Sequence, residues 1–111
     1  MDTENNKTAP GGTIRSIQTI HGAFVETMGW RKNKQPLECV ALICEEIGEL
    51  THELRVEHPN AELVGNEIAD IILRAIDLGN EFDIDIDAAV DRKMRHNLNN
   101  IAAIKAKGRV K

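Results

Sequence analysis

The chain has 111 residues, of which 41% are hydrophobic, 29% charged and only 3% aromatic, with no Tyr. That length allows one small domain with a single modest core, and an aliphatic, aromatic-poor composition favours a helical bundle over a β-sandwich. A formal net charge of −4, with no basic stripe interleaved with aromatics, argues against a nucleic-acid partner, and no apolar run is long enough to span a membrane.

Residues 1–12 (MDTENNKTAPGG) read as a disordered lead-in without the apolar stretch of a secretory leader. From Thr13, a good N-cap, the residues Ile14, Ile17, Ile20, Phe24 and Met28 recur at helical spacing, and Gly29 ends that first helix. Trp30 to Pro36 forms a basic connector, with Pro36 suited to open the next helix. The second helix is expected from Leu37 to about Val56. Leu37, Val40, Cys44, Ile47, Thr51 and Leu54 make its apolar seam, and Glu45, Glu46, Glu49, Glu53 and Glu57 lie opposite. Cys39 and Cys44 fit no zinc or redox spacing and read as small core residues, in keeping with a reducing cytoplasm.

His58-Pro59-Asn60 breaks the chain before a third helix from about Ala61 to Leu78, which Gly79-Asn80 should stop. Eight of the eleven residues from Ile68 to Leu78 are apolar. A helix apolar nearly all round is a buried helix, and in so short a chain that suggests burial against a second copy. Phe82 to Asp87 (FDIDID) alternates as a strand would, but a lone strand has no partner, so it reads as a connector. Asp85 can then N-cap a last helix through Ala88, Ala89, Val90, Met94 and Leu98, with a brief helical continuation before Gly108. The domain proper is expected over residues 13–100, and 101–111 as a basic tail.

The most informative feature is a set of five acids, Glu45-Glu46-x-x-Glu49 and Glu67-x-x-Asp70. Residues three apart share a helix face, so two helices presenting such pairs can surround one small volume with carboxylates. That much negative charge is costly to desolvate without cations, and Mg²⁺ or Mn²⁺ suits all-oxygen donors. An acid stripe opposite an apolar seam is also what any solvated helix shows, and that reading suits the second helix alone. Glu67 and Asp70, by contrast, interrupt a helix with no broad polar face. Arg74 could answer Asp70 across one turn, but it cannot answer the other acids as well. The four histidines His21, His52, His58 and His96 share no ligand spacing and read as ordinary surface or half-buried residues.

The motif Glu45-Glu46-Ile47-Gly48-Glu49-Leu50, followed after Glu49 by a gap of 17 residues and then Glu67-Ile68-Ala69-Asp70-Ile71, resembles the signature of the MazG-like all-α nucleoside triphosphate pyrophosphohydrolases. Lys93-x-x-x-Asn97 is similar to that superfamily's motif on its last helix. Trp30, Pro36 and Leu37 resemble its dCTP-pyrophosphatase-like branch. The resemblance implies a four-helix bundle completed by dimerisation, as a homodimer or homotetramer. It also implies Mg²⁺-dependent hydrolysis of a (deoxy)nucleoside triphosphate to monophosphate and pyrophosphate, in a house-cleaning role. On that pattern Glu46, Glu49, Glu67 and Asp70 hold metal. Glu45 assists or orients water, with Glu45 or Glu49 taking the proton. Lys93 and Asn97 touch the triphosphate, and Trp30 flanks the base.

The chain departs from the pattern at Asn100, where the superfamily often has Arg, and at Lys34, where the branch usually has His near the Pro. A phosphate-facing charge is thereby lost at one place, and Lys34 could supply another. On spacing alone, Trp30 equally suits a hydrophobic plug, and Lys93 and Asn97 suit an exposed helix face. Two rival readings share these residues: a non-catalytic helical dimerisation module, and a dUTP-specific diphosphatase of the same superfamily.

Overall fold

The computed structural model describes residues 13–30 and 35–108. They form five helices: α1 (Ile14–Met28), α2 (Pro36–Leu54), α3 (Ala61–Glu81), α4 (Ile86–Asn99) and the short α5 (Ile101–Ala106). There is no strand among the described residues, so the alternating Phe82–Asp87 segment is a turn leading into a helix. The architecture is all-α, with four main helices as expected.

Local chemistry explains most of the boundaries. The Thr13 hydroxyl accepts from the Ser16 backbone N at 3.2 Å and opens α1. Gly29 closes it in the left-handed region at φ 71°. The Gly29 and Trp30 amides return to the carbonyls of Glu26 and Val25 at 3.0 and 3.2 Å, a Schellman closure that turns Trp30 back along the helix it follows. Pro36 sits in the first turn of α2, and the Glu38 carboxylate accepts from the Gln35 backbone N at 2.9 Å. The Asn60 and Asp85 side chains cap α3 and α4, accepting from the amides of Leu63 and Ala88 at 3.0 and 3.1 Å.

Helix α3 runs through Gly79 and Asn80 to Glu81, three residues beyond the expected stop at Leu78. Both residues are there for packing rather than termination. A Cβ at Gly79 would overlap the Ile86 side chain at the start of α4. Asn80 belongs to a clamp around the buried Gln18 of α1. Gln18 Nε2 donates to Asn80 Oδ1 and the Ile84 carbonyl at 2.9 and 2.8 Å, and its Oε1 accepts from the Ile86 amide at 3.0 Å. Asn80 Nδ2 donates in turn to the Gln18 carbonyl at 3.1 Å. Arg15 adds an ion pair to Asp85 at 2.9 Å, so α1 is fastened to the turn between α3 and α4.

Helices α2 and α3 form an antiparallel hairpin and make the most extensive packing in the molecule. Their facing sides are not the ones that periodicity suggests. Cys39 and Glu46 are the buried residues of α2, flanked by half-buried Leu42, Ile43 and Leu50. The expected seam lies outward: Leu37 is 80% exposed, and Val40, Ile47 and Leu54 are between 41% and 51% exposed. Cys44, read as a core residue, is exposed on the same side. On α1, Ile20, Phe24 and Met28 are likewise half exposed, while Gln18 and Val25 are buried. Among the described residues the buried apolar side chains are Val25, Cys39 and Ile76, so apolar surface is left over on α2 and on Leu63, Ile68 and Ile72 of α3. Among the described residues, no helix is long and apolar enough to cross a membrane.

Candidate metal centre and cleft

The hairpin brings together carboxylates from both of its helices. Glu46 and Glu49 of α2 and Glu67 of α3 each place one carboxylate oxygen within 4.8 Å of the other two. Glu46 is buried and Glu67 half-buried. Glu46 Oε1 and Glu67 Oε1 are both shut away from solvent with no hydrogen-bond partner. Buried polar atoms are normally satisfied, and carboxylate oxygens this near one another repel unless a proton or a cation lies between them. The strain shows in the titration of Glu67. Its burial, then the charges of Glu49, Asp70 and Glu46, push its carboxyl above the ordinary range. Three convergent hard-oxygen donors, two with orphaned atoms, fit a Mg²⁺- or Mn²⁺-sized ion that keeps its other positions for water or substrate.

The other anticipated ligands stand differently. Asp70 is exposed and lies outside this group of three, although it lines the adjoining cleft. Glu45 is exposed along a separate groove with Glu38, Ala41 and Leu42. Arg74 does not pair with Asp70. Its Nε donates to Glu46 Oε2 at 3.3 Å, from the facing helix.

Beside the acids lies a cleft of about 340 Å³ lined by His21, Phe24, Val25, Trp30, Glu46, Asp70, Leu73, Arg74 and Asp77, a volume in the range of small-ligand sites. Trp30 packs edge-on against Phe24, with ring centroids 5.3 Å apart at 90°, and the Gly29 closure of α1 sets that placement. Glu46 belongs to both the carboxylate group and the cleft. A more open hollow between Arg15, Gln18, Asn80 and Asp83 follows from the Gln18 clamp and contains none of the clustered acids. His21, read as an ordinary histidine, lines the cleft beside Phe24, with ring centroids 6.2 Å apart. The signal available in the sequence was its three-residue step to Phe24, one turn along the helix that Trp30 follows.

Lys93 and Asn97 are exposed on α4 and are not among the residues lining the cleft. Helix α4 packs on α1, away from the principal α2–α3 contact. Lys34, Arg109 and Lys111 lie outside the described residues.

Fold and site thus define an all-α bundle whose central hairpin gathers carboxylates next to an aromatic-walled cleft. A model of the MazG-like family matches residues 31–111, and the chain belongs to that family. The match covers the hairpin with all its acids and begins just after Trp30. Membership points to nucleoside triphosphate pyrophosphatase activity as the general class of chemistry, typically with a divalent metal. No curated protein matches the chain.

Proposed function

We propose that this protein is a Mg²⁺-dependent pyrophosphohydrolase that converts deoxynucleoside triphosphates to monophosphate and pyrophosphate, in control of the nucleotide pool. The observation that carries this reading is the convergence of Glu46, Glu49 and Glu67 with two buried, partnerless oxygens, in a chain of the MazG-like family. Mg²⁺, when bound, would neutralise the triphosphate and acidify the attacking water. The chain's own part is to hold and orient. Glu46 and Glu67, each with an oxygen shielded from solvent, would hold the cation. Glu49, the exposed member of the three, would take a proton from water. Asp70 stands at the cleft wall as a ligand that substrate entry would recruit. Trp30 and Phe24 offer ring faces and edges to a base.

The leftover apolar surface on α2 and α3 supports a homodimer or higher oligomer, because a monomer this small gains little by leaving such side chains wet. A non-catalytic dimerisation module would use the same surface. Against it stand the desolvated carboxylates, which a purely structural hairpin would replace with Leu or Ala.

The deciding experiment presents the eight common NTPs and dNTPs, and dUTP, to the purified protein with Mg²⁺. Products are separated to tell pyrophosphate from orthophosphate. Pyrophosphate with monophosphate from one or a few nucleotides is the expected result, and dUTP alone would mark the dUTP-specific variant. Absence of turnover with both Mg²⁺ and Mn²⁺ would favour the non-catalytic module.

A further inference from the structure

We infer that Arg74 is the arginine that grips the substrate's phosphate chain, an assignment that rests on the pyrophosphohydrolase reading above. Its guanidinium carries five N–H donors in a rigid fork, and only Nε is engaged, on Glu46 Oε2 at 3.3 Å. The two terminal nitrogens meet no partner among the described residues. The side chain is one-third exposed, and it opens into the cleft that Glu46, Asp70, Asp77, Phe24 and Trp30 also line. A counter-ion for Glu46 alone would need no open fork. A fork with open donors on the wall of a ligand-sized cleft, beside a candidate cation site, suits phosphate oxygens.

Charge makes the same case. Three carboxylates line the cleft and two more belong to the adjoining group, a field that repels a polyphosphate unless fixed positive charge accompanies the metal. Asn100, where a phosphate-facing Arg was missing, cannot supply it. Its amide donates to the His96 carbonyl at 2.7 Å and closes α4. Arg74 restores the lost charge from a different helix. Through Glu46 it also stands next to the three-carboxylate group, and it shares the lining of the cleft with Trp30.

The test is calorimetric binding of Mg²⁺ alone, and of inorganic tripolyphosphate with Mg²⁺, to the wild type, Arg74→Gln and Arg74→Lys. Tripolyphosphate presents the phosphate chain without a base, and thermal melts confirm that each variant is folded. Loss of the fork should weaken tripolyphosphate about 10- to 100-fold in Arg74→Gln, with Arg74→Lys between it and the wild type. Affinity for Mg²⁺ alone should stay unchanged or rise, because a competing cation has gone. Two results overturn the inference. One is unaltered tripolyphosphate affinity in Arg74→Gln. The other is an equal loss for Mg²⁺ alone and for tripolyphosphate, which would mean that Arg74 merely shapes Glu46. A wild type that hydrolyses a nucleotide while Arg74→Gln keeps its tripolyphosphate affinity removes only Arg74 from the site. A wild type that neither hydrolyses nor binds removes the pyrophosphohydrolase reading, and this inference with it.

Discussion

Glu67 is the residue through which solution pH should report on the candidate metal site. Because its folded carboxyl titrates above the ordinary value of 4.5, the stability it contributes is present below that value. It is lost as pH rises through the folded one. The metal-free protein should therefore lose melting temperature as pH rises above the ordinary carboxylate range, and saturating Mg²⁺ should restore it. Glu67→Gln should flatten that profile, which differential scanning calorimetry would show. Asp85 acts with the opposite sign. The Ala88 amide, then Arg15, hold its carboxyl below the ordinary 3.8, so its contribution is lost only as pH falls through that lower value, outside the Glu67 window. At the same scale, Glu46→Gln should reduce Mg²⁺ affinity and turnover by about 100-fold or more, with the helical circular dichroism kept. Asp70→Asn should spare binding of Mg²⁺ alone better than Glu46→Gln does, because Asp70 is the exposed acid outside the cluster. The three clustered glutamates were legible in the sequence because three-residue steps on two helices fix a face. Asp70 was not separable from them. Residues 67 and 70 differ by about 4.5 Å along the helix axis, and only the crossing of α2 and α3 decides which lies level with Glu46. The Arg74–Glu46 pair was hidden for the same reason, since the register between helices is not written in either one.

Among the elements, α1 is held at the α3–α4 turn chiefly by the buried Gln18, with the Arg15–Asp85 pair beside it. Gln18→Ala would orphan the Ile86 amide and strip partners from Asn80, and should cost about 2–4 kcal/mol in denaturant unfolding. Gly79→Ala tests the close approach of α4. An Ala ordinarily strengthens a helix, yet here overlap with Ile86 should cost about 1–3 kcal/mol, and Ile86→Ala in the same chain should recover part of it. Helix existence, order and most caps could be read from the sequence, since Thr13, Gly29, Pro36, Asn60 and Asp85 act through local chemistry. The end of α3 could not. Gly79-Asn80 carries the residue types of a stop, and what uses them, Ile86 and Gln18, arrives from other elements. The orientation of α2 was misleading for a physical reason. Periodicity reveals that a helix has an apolar face, but not whether that face meets its own chain or another.

For the whole molecule, that outward face is the main prediction. Val40→Asp, placed on the exposed seam well away from the acids, should convert an oligomer to monomer in light scattering while leaving the secondary structure intact. A wild type that is monomeric at all concentrations would remove the proposed assembly. Helix α2 carries carboxylates on one side and this seam on the other, so whatever presses on the seam also steadies the wall that bears Glu46 and Glu49. With a second copy as the covering surface, the firmness of that wall would follow the amount of protein made, because scarce copies would stand apart and abundant ones would brace each other.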